Sequence, residues 1–261
     1  MSAKKLLNYQ FHQAKQIINQ PTLVFIHGLF GDMNNLGVIA RAFSDHYPIL
    51  RVDLRNHGQS FHADAMNYMA LAEDVFSLIQ TLGLSKVILI GHSMGGKTAM
   101  KLTALHPEIV EKLIVLDIAP IAYQQRHHDE VFRALFAVCR EKPATRQEAK
   151  KIMQHDIQEE ETVQFLLKSF APDCKDYFRF NVSALFNHYA EIMAWERVSV
   201  SIPTLFVKGG NSSYLLPEYR AMILEQFPNA VSFTINGANH WVHADKPDFV
   251  VRAIERFLNK N

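Results

Sequence analysis

Apolar residues recur along this chain in two rhythms, short strand-like runs and longer stretches at helical spacing. "LLNYQFHQ" reads as a leading strand, and "TLVFIHG", from Thr22, as a short β-rich run that stops at a glycine. "NLGVIARAFSDH" carries its apolar positions at helical spacing, and "YPILRVDL" follows as a third strand. "YMALAEDVFSLIQTLGL" is an amphipathic helix with Gly83 as its stop. "KVILIG", "KTAMKLTALHP" and "VEKLIVLDIAP" then supply strand, helix and strand. Such alternation predicts an α/β fold, a mostly parallel sheet doubly wound with helices on both faces.

Between residues 121 and 198 the strand rhythm stops. "EVFRALFAVCREK", "TRQEAKKIMQHDI", "EETVQFLLKSF" and "FRFNVSALFNHYAEIMAWERV" are all helical in pattern. Strands return with "IPTLFVKGG", then helix "LPEYRAMILEQF", strand "AVSFTING" and a last helix "PDFVVRAIERFL". The expected organisation is a core of residues 1–120 and 199–261, split by a helical cap of residues 121–198.

One stretch of the core supports two chemistries. In "VILIGHSMGGKTAM", Gly91, Ser93 and Gly95 form G-x-S-x-G, the turn that lifts a serine nucleophile between a strand and a helix. The same residues, Gly91 through Thr98, also spell G-x-x-x-x-G-K-[ST], a loop that cradles nucleotide phosphates. "LIVLD", ending at Asp117, even resembles the strand and acid that hold a nucleotide's magnesium. Against the phosphate reading, the loop follows about the fourth strand rather than the first, and no base-binding motif lies downstream.

Composition narrows the setting. The 261 residues are 48% hydrophobic, enough for a full core, and 27 Lys+Arg against 26 Asp+Glu leave a formal charge of +1. No basic block suggests nucleic acid or an anionic membrane as partner. Cys139 and Cys174 have no C-x-x-C spacing, which points to a reducing compartment, with both as buried or semi-buried thiols. There is no long apolar leader and no run of about 18 apolar residues, so a cytoplasmic protein without a membrane span is expected.

A serine hydrolase needs more than its elbow, and the chain carries the other parts. "FIHGLFG" offers the Leu29 amide for an oxyanion hole, and "INGANHWVHADKP" offers His240 after the final strand. Together "HGLFG", "DLRNHGQS", "GHSMGG" and "GANHWVHADKP" resemble the α/β-hydrolase superfamily over essentially the whole chain, most closely its small YbfF-type esterases. The resemblance implies an eight-strand-type core, a helical cap over the site and no cofactor. It also makes the Lys97-Thr98 match accidental, with Lys97 a solvated residue of the first helical turn.

Within that resemblance Ser93 is the nucleophile, His240 the general base, and the amides of Leu29 and Met94 the oxyanion hole. The acid departs from the family pattern. After "PTLFVKGG", where many relatives carry Asp, this chain has Asn211, Ser212, Ser213 and Tyr214. Asp117 ends the strand next to the nucleophile strand, about 4.8 Å away, and is the expected substitute. Ser212 is a supporting candidate that offers a hydroxyl, whereas the competing acid, Asp245, reads as the cap of the last helix.

Other tempting residues have blander readings. "RHHDE" and the pair His240 and His243 match no metal-site spacing, and no metal is expected. The first is a solvated helix start and His243 a supporting or surface histidine. His57 lies on a loop beside the core, where Asp53 and Arg55 organise a turn, and Trp195 anchors the return from cap to core. Of the apolar cap residues Phe132, Leu135, Phe136, Phe165, Leu166, Phe170, Phe186 and Tyr189, most pack the cap and some face Ser93, favouring an apolar acyl or aryl group. The expected activity is hydrolysis of carboxylic esters, or thioesters, through an acyl-enzyme on a small-molecule substrate. Carbon-carbon hydrolase or haloperoxidase-like chemistry on the same triad, and a non-enzymatic small-ligand binder, are the alternatives.

Overall fold

The computed structural model describes residues 5–15, 20–126 and 128–259. After β1 (Tyr9–His12) its strands and helices alternate: β2 (Thr22–Ile26), α1 (Gly37–Phe43), β3 (Ile49–Val52), α2 (Tyr68–Thr81), β4 (Val87–His92), α3 (Met94–Leu105) and β5 (Val110–Leu116). Five helices follow: α4 (Asp129–Glu141), α5 (Arg146–Met153), α6 (Glu160–Leu167), α7 (Val182–Asn187) and α8 (Tyr189–Met193). The chain closes with β6 (Thr204–Gly209), α9 (Arg220–Gln226), β7 (Ala230–Ile235), α10 (Val242–Asp245) and α11 (Pro247–Leu258).

The described strands form one seven-stranded sheet in the order β1-β3-β2-β4-β5-β6-β7. Only β1 runs antiparallel to its neighbour, so the sheet is mostly parallel and doubly wound, as the alternation of elements predicts. β2 and β4 are buried at every position, which is why they read as unbroken apolar runs. Strand periodicity of two divides them between two cores. Leu23, Phe25, Ile88 and Ile90 face α1 and α11, while Val24, Ile26, Val87 and Leu89 face α2 and α3. The insertion joins the second core, since Phe132, Leu135 and Leu166 belong to the same apolar cluster as α3.

Two expectations need correction. The helical pattern of "FRFNVSALFNHYAEIMAWERV" starts only at Asn181, which caps α7 by accepting the Ala184 amide, 3.1 Å away; it breaks between α7 and α8 at His188, at φ −103° and ψ 15°, and residues 194–203 form no regular element. Lys97 is not solvated. It is 1% exposed, and its Nζ donates to the carbonyls of Met193 at 3.2 Å and Ala194 at 3.1 Å, at the end of α8. The rings of Tyr68, Tyr123 and Trp195 surround it at 5.5, 4.8 and 5.8 Å. Its aliphatic stem crosses the core and its head ties the end of the insertion to the elbow helix. Trp195 has the anchoring place expected of it, donating Nε1–H to Gln226 Oε1 at 2.8 Å. Among the described residues no helix is long and apolar enough to cross a membrane.

Burial lowers the Lys97 ammonium to about 7. An unfolded chain keeps that proton to about pH 10.4, so between those limits unfolding takes up a proton and stability rises with pH. Lys97→Met removes the linkage. In urea titrations, wild-type stability should climb relative to Lys97→Met from about pH 7 to about pH 10, by at most about 1.4 kcal/mol per pH unit. A pH-independent difference would mean that the buried amine stays charged throughout.

Candidate active site

β4 ends at His92, α3 begins at Met94, and Ser93 alone makes the turn, at φ 52° and ψ −122°. A β-carbon at Gly95 would lie 2.3 Å from the Ile26 carbonyl oxygen, and one at Gly91 would lie 2.2 Å from that of Gly95. Only glycines let the strand and helix approach so closely, and the strain of a positive φ falls on the serine. The turn therefore has the strand-to-helix geometry of an elbow with Ser93 at its tip, and Lys97 points into the core rather than toward a phosphate in the loop.

His240 Nε2 accepts the Ser93 hydroxyl at 2.9 Å, and its Nδ1–H donates to Asp117 Oδ2 at 2.8 Å. Strand pairing sets this geometry. His92 pairs with Leu116, so Ser93 and Asp117 leave adjacent parallel strands side by side. Asp117 is fully buried, with φ 54°, and its Oδ1 accepts the Gly209 amide at 2.8 Å. Ser212 donates its hydroxyl to Asp117 Oδ2 and accepts the Tyr214 amide at 3.2 Å. The end of β6 and the loop after it thus supply donors to the carboxylate, where the loop has no carboxylate of its own. Asp245 does not cap the last helix, whose N-cap is Lys246; it accepts the Asn239 amide at 2.7 Å and braces the His240 loop.

Four more histidines, all buried, shape the site. His92 Nε2–H donates to the His240 carbonyl at 2.9 Å, tying the elbow to the histidine loop, and its ring lies 4.4 Å from that of His243. His27 and His57 fix the loop that holds Leu29. His27 accepts the Leu54 amide at 3.0 Å and donates to the Gly28 carbonyl at 2.8 Å. His57 accepts the Phe30 amide at 3.1 Å and donates to the Arg55 carbonyl at 2.9 Å. Beneath them Asp53 accepts the amides of Met33 at 2.8 Å and Gln59 at 2.9 Å, the turn-building role expected of it. The roles of His57 and His92 were not readable from the sequence, since each bonds a backbone group remote in the chain.

A cavity of about 270 Å³ opens over Ser93. Phe165 and Leu166, from the expected set, line it with Phe30, Val131, Tyr214 and Trp241. Phe132 instead packs between Phe30, Phe186 and Tyr189, at 5.5, 5.3 and 5.2 Å. His128 is not at a fully solvated helix start, because it lines the cavity and bonds the Tyr189 hydroxyl at 2.7 Å. His127 lies outside the described residues. Among the described residues no three His, Cys, Asp or Glu side chains come together as a metal site.

Burial pushes His57 and His243 down to about 3 and lowers His27 and His92 as well. These rings stay neutral in the fold, whereas the unfolded chain protonates them near pH 6.5. The unfolded state then binds more protons, so stability falls as pH drops from about 6.5 toward about 3. His57→Gln, which keeps an acceptor for the Phe30 amide, should flatten the slope by about 1.4 kcal/mol per pH unit over that window. Denaturant titrations at several pH values give the slope, and an unchanged one would mean that His57 is already protonated in the fold.

Comparison with known proteins agrees with this architecture. The family model described as the alpha/beta hydrolase fold matches residues 21–247. A Haemophilus influenzae protein, named only provisionally as an esterase/lipase, is 67% identical over 99% of this chain and 90% of its own length. Esterase YbfF of Escherichia coli K12 is 46% identical over 97% of this chain and 99% of its own. The solved structure of a marine microorganism esterase superposes with a TM-score of 0.90 at 34% identity, covering 97% of this chain and all of that one (100%). The chain therefore belongs to the α/β-hydrolase family, and the relatives described above are named as esterases.

Proposed function

We propose that this protein hydrolyses carboxylic esters, and thioesters as a second class, through an acyl-enzyme on Ser93. The observation that carries the reading is the unbroken line of hydrogen bonds from Ser93 through His240 to Asp117 beneath a cavity walled in part by Phe30, Val131, Phe165 and Leu166. A serine hydroxyl is a weak nucleophile until a base takes its proton. As Ser93 Oγ attacks the ester carbonyl, His240 Nε2 takes that proton, and the buried Asp117 carboxylate stabilises the resulting imidazolium. The amides of Leu29 and Met94 receive the tetrahedral oxyanion, each worth roughly 3 kcal/mol by analogy with known oxyanion donors. Met94 opens α3, whose dipole adds to that field.

Collapse of the intermediate passes the proton from His240 to the leaving alcohol or thiol. Water, deprotonated by His240, then attacks the acyl carbon, and the carboxylic acid departs as Ser93 regains its proton. Ser212 supports the acid, holding Asp117 Oδ2 in place for the imidazole. Residues 121–198 serve as the cap, and Phe165 and Leu166 present the apolar wall to the acyl group. The substrate is a small molecule with an apolar acyl or aryl part.

Intact-mass spectrometry after fluorophosphonate treatment tests the reading. Wild type should gain one stoichiometric adduct and Ser93→Ala none. Absence of an adduct on folded wild type would favour a ligand binder on this fold. Asp117→Asn should cost about 10⁴ in kcat, Ser212→Ala about tenfold, and Asp245→Asn no more than roughly threefold. A larger loss for Asp245→Asn than for Asp117→Asn would reassign the acid.

A further inference from the structure

We propose that Tyr214 is a positioning residue whose ring face stabilises the imidazolium of His240 during turnover. This rests on the triad reading above and deepens it. The ring of Tyr214 lies 4.0 Å from that of His240, centroid to centroid, at an interplanar angle of 27°. Among the described rings near His240 it is the closest and the most nearly parallel, His92 standing at 4.8 Å and 44° and Trp241 at 6.5 Å and 50°. An aromatic face carries negative electrostatic potential and attracts a cation within about 6 Å. Neutral imidazole gains little from that face, and imidazolium gains most, so the contact strengthens as the proton moves from Ser93 to His240.

The platform is held still. Its amide donates to Ser212 Oγ, its carbonyl accepts the Tyr123 hydroxyl, and its ring meets that of Tyr123 edge-on at 5.6 Å. Tyr123 is itself fixed, its oxygen accepting the Ala119 amide at 2.9 Å. Asp117 meets the imidazole along its Nδ1 edge and Tyr214 covers a face, so the two stabilise the same charge from perpendicular directions. The loop after β6 therefore contributes to the charge on His240 twice, through Ser212 and through Tyr214.

Other groups around His240 are constant across the test. Asp117 leaves β5, His92 lies on β4, His243 on α10, and His128, Glu130 and Glu159 line the same cavity. Burial keeps His92 and His243 neutral well below the working range and keeps the Tyr214 phenol protonated above it.

The test is the pH dependence of ester hydrolysis by the full chain. Tyr214→Leu removes the ring but leaves both backbone bonds. It should lower kcat about tenfold with KM changed less than about threefold, and shift the acidic limb of kcat/KM down by about one pH unit. Tyr214→Phe keeps the ring and should restore both. Pentafluorophenylalanine at position 214 keeps the shape but reverses the sign of the ring face, and should shift the limb as Leu does even if Tyr214→Leu folds poorly. An acidic limb that stays put in both ring-altering variants would overturn the proposal, as would a Tyr214→Phe as impaired as Tyr214→Leu. Fluorophosphonate labelling of the same variants separates the two claims, because an adduct on Ser93 with an unmoved limb sinks only the role of Tyr214.

Discussion

The pairing of β4 with β5 is the constraint on which the site depends. Because His92 lies opposite Leu116, the next residues, Ser93 and Asp117, leave the sheet together, each at a positive φ that an L-residue adopts only under pressure from its surroundings. A one-residue slip of either strand would turn its apolar positions to the opposite core and carry the carboxylate away from the imidazole. Val87, Leu89, Leu113 and Val115 on one face and Ile88, Ile90, Ile114 and Leu116 on the other hold that register by their burial, together with the strand pairing itself. The geometry of the polar site is thus secured by apolar packing beneath it.

Around this pair, buried polar groups do the positioning. A buried donor or acceptor costs stability unless paired, so each paired one resists movement. His27, His57 and Asp53 pin the loop of Leu29, His92 pins the loop of His240, and Gly209 and Ser212 pin Asp117. Neutral histidines suit the task, since an imidazole both accepts from one amide and donates to one carbonyl. The cost is sensitivity to acid, because the same rings take up protons once the chain unfolds.

Lys97 shows the same logic on the other side of the elbow helix. Its head satisfies two carbonyls at the end of α8, where a short helix would otherwise leave them unpaired, and three aromatic rings offset part of the charge's burial. The residue that completes an accidental phosphate-loop pattern fastens the insertion to the elbow helix, which explains why a long cation stands at an interior position.

Much was legible in the chain itself. Unbroken apolar runs marked strands that are buried on both faces, and helical spacing marked α2 and α11, because in each case burial dictates the period. Gly91 and Gly95 around Ser93 named the elbow, since only glycine permits such close backbone approach. What the sequence could not determine was every contact between residues far apart in it: the buried course of Lys97, the His92 bond to the His240 carbonyl, the amide that His57 accepts from Phe30, and the ring of Tyr214 laid on His240. Local pattern records which face of an element is buried, whereas partners remote in the chain, as far apart as the 148 residues between His92 and His240, are chosen only when the sheet brings its edges together.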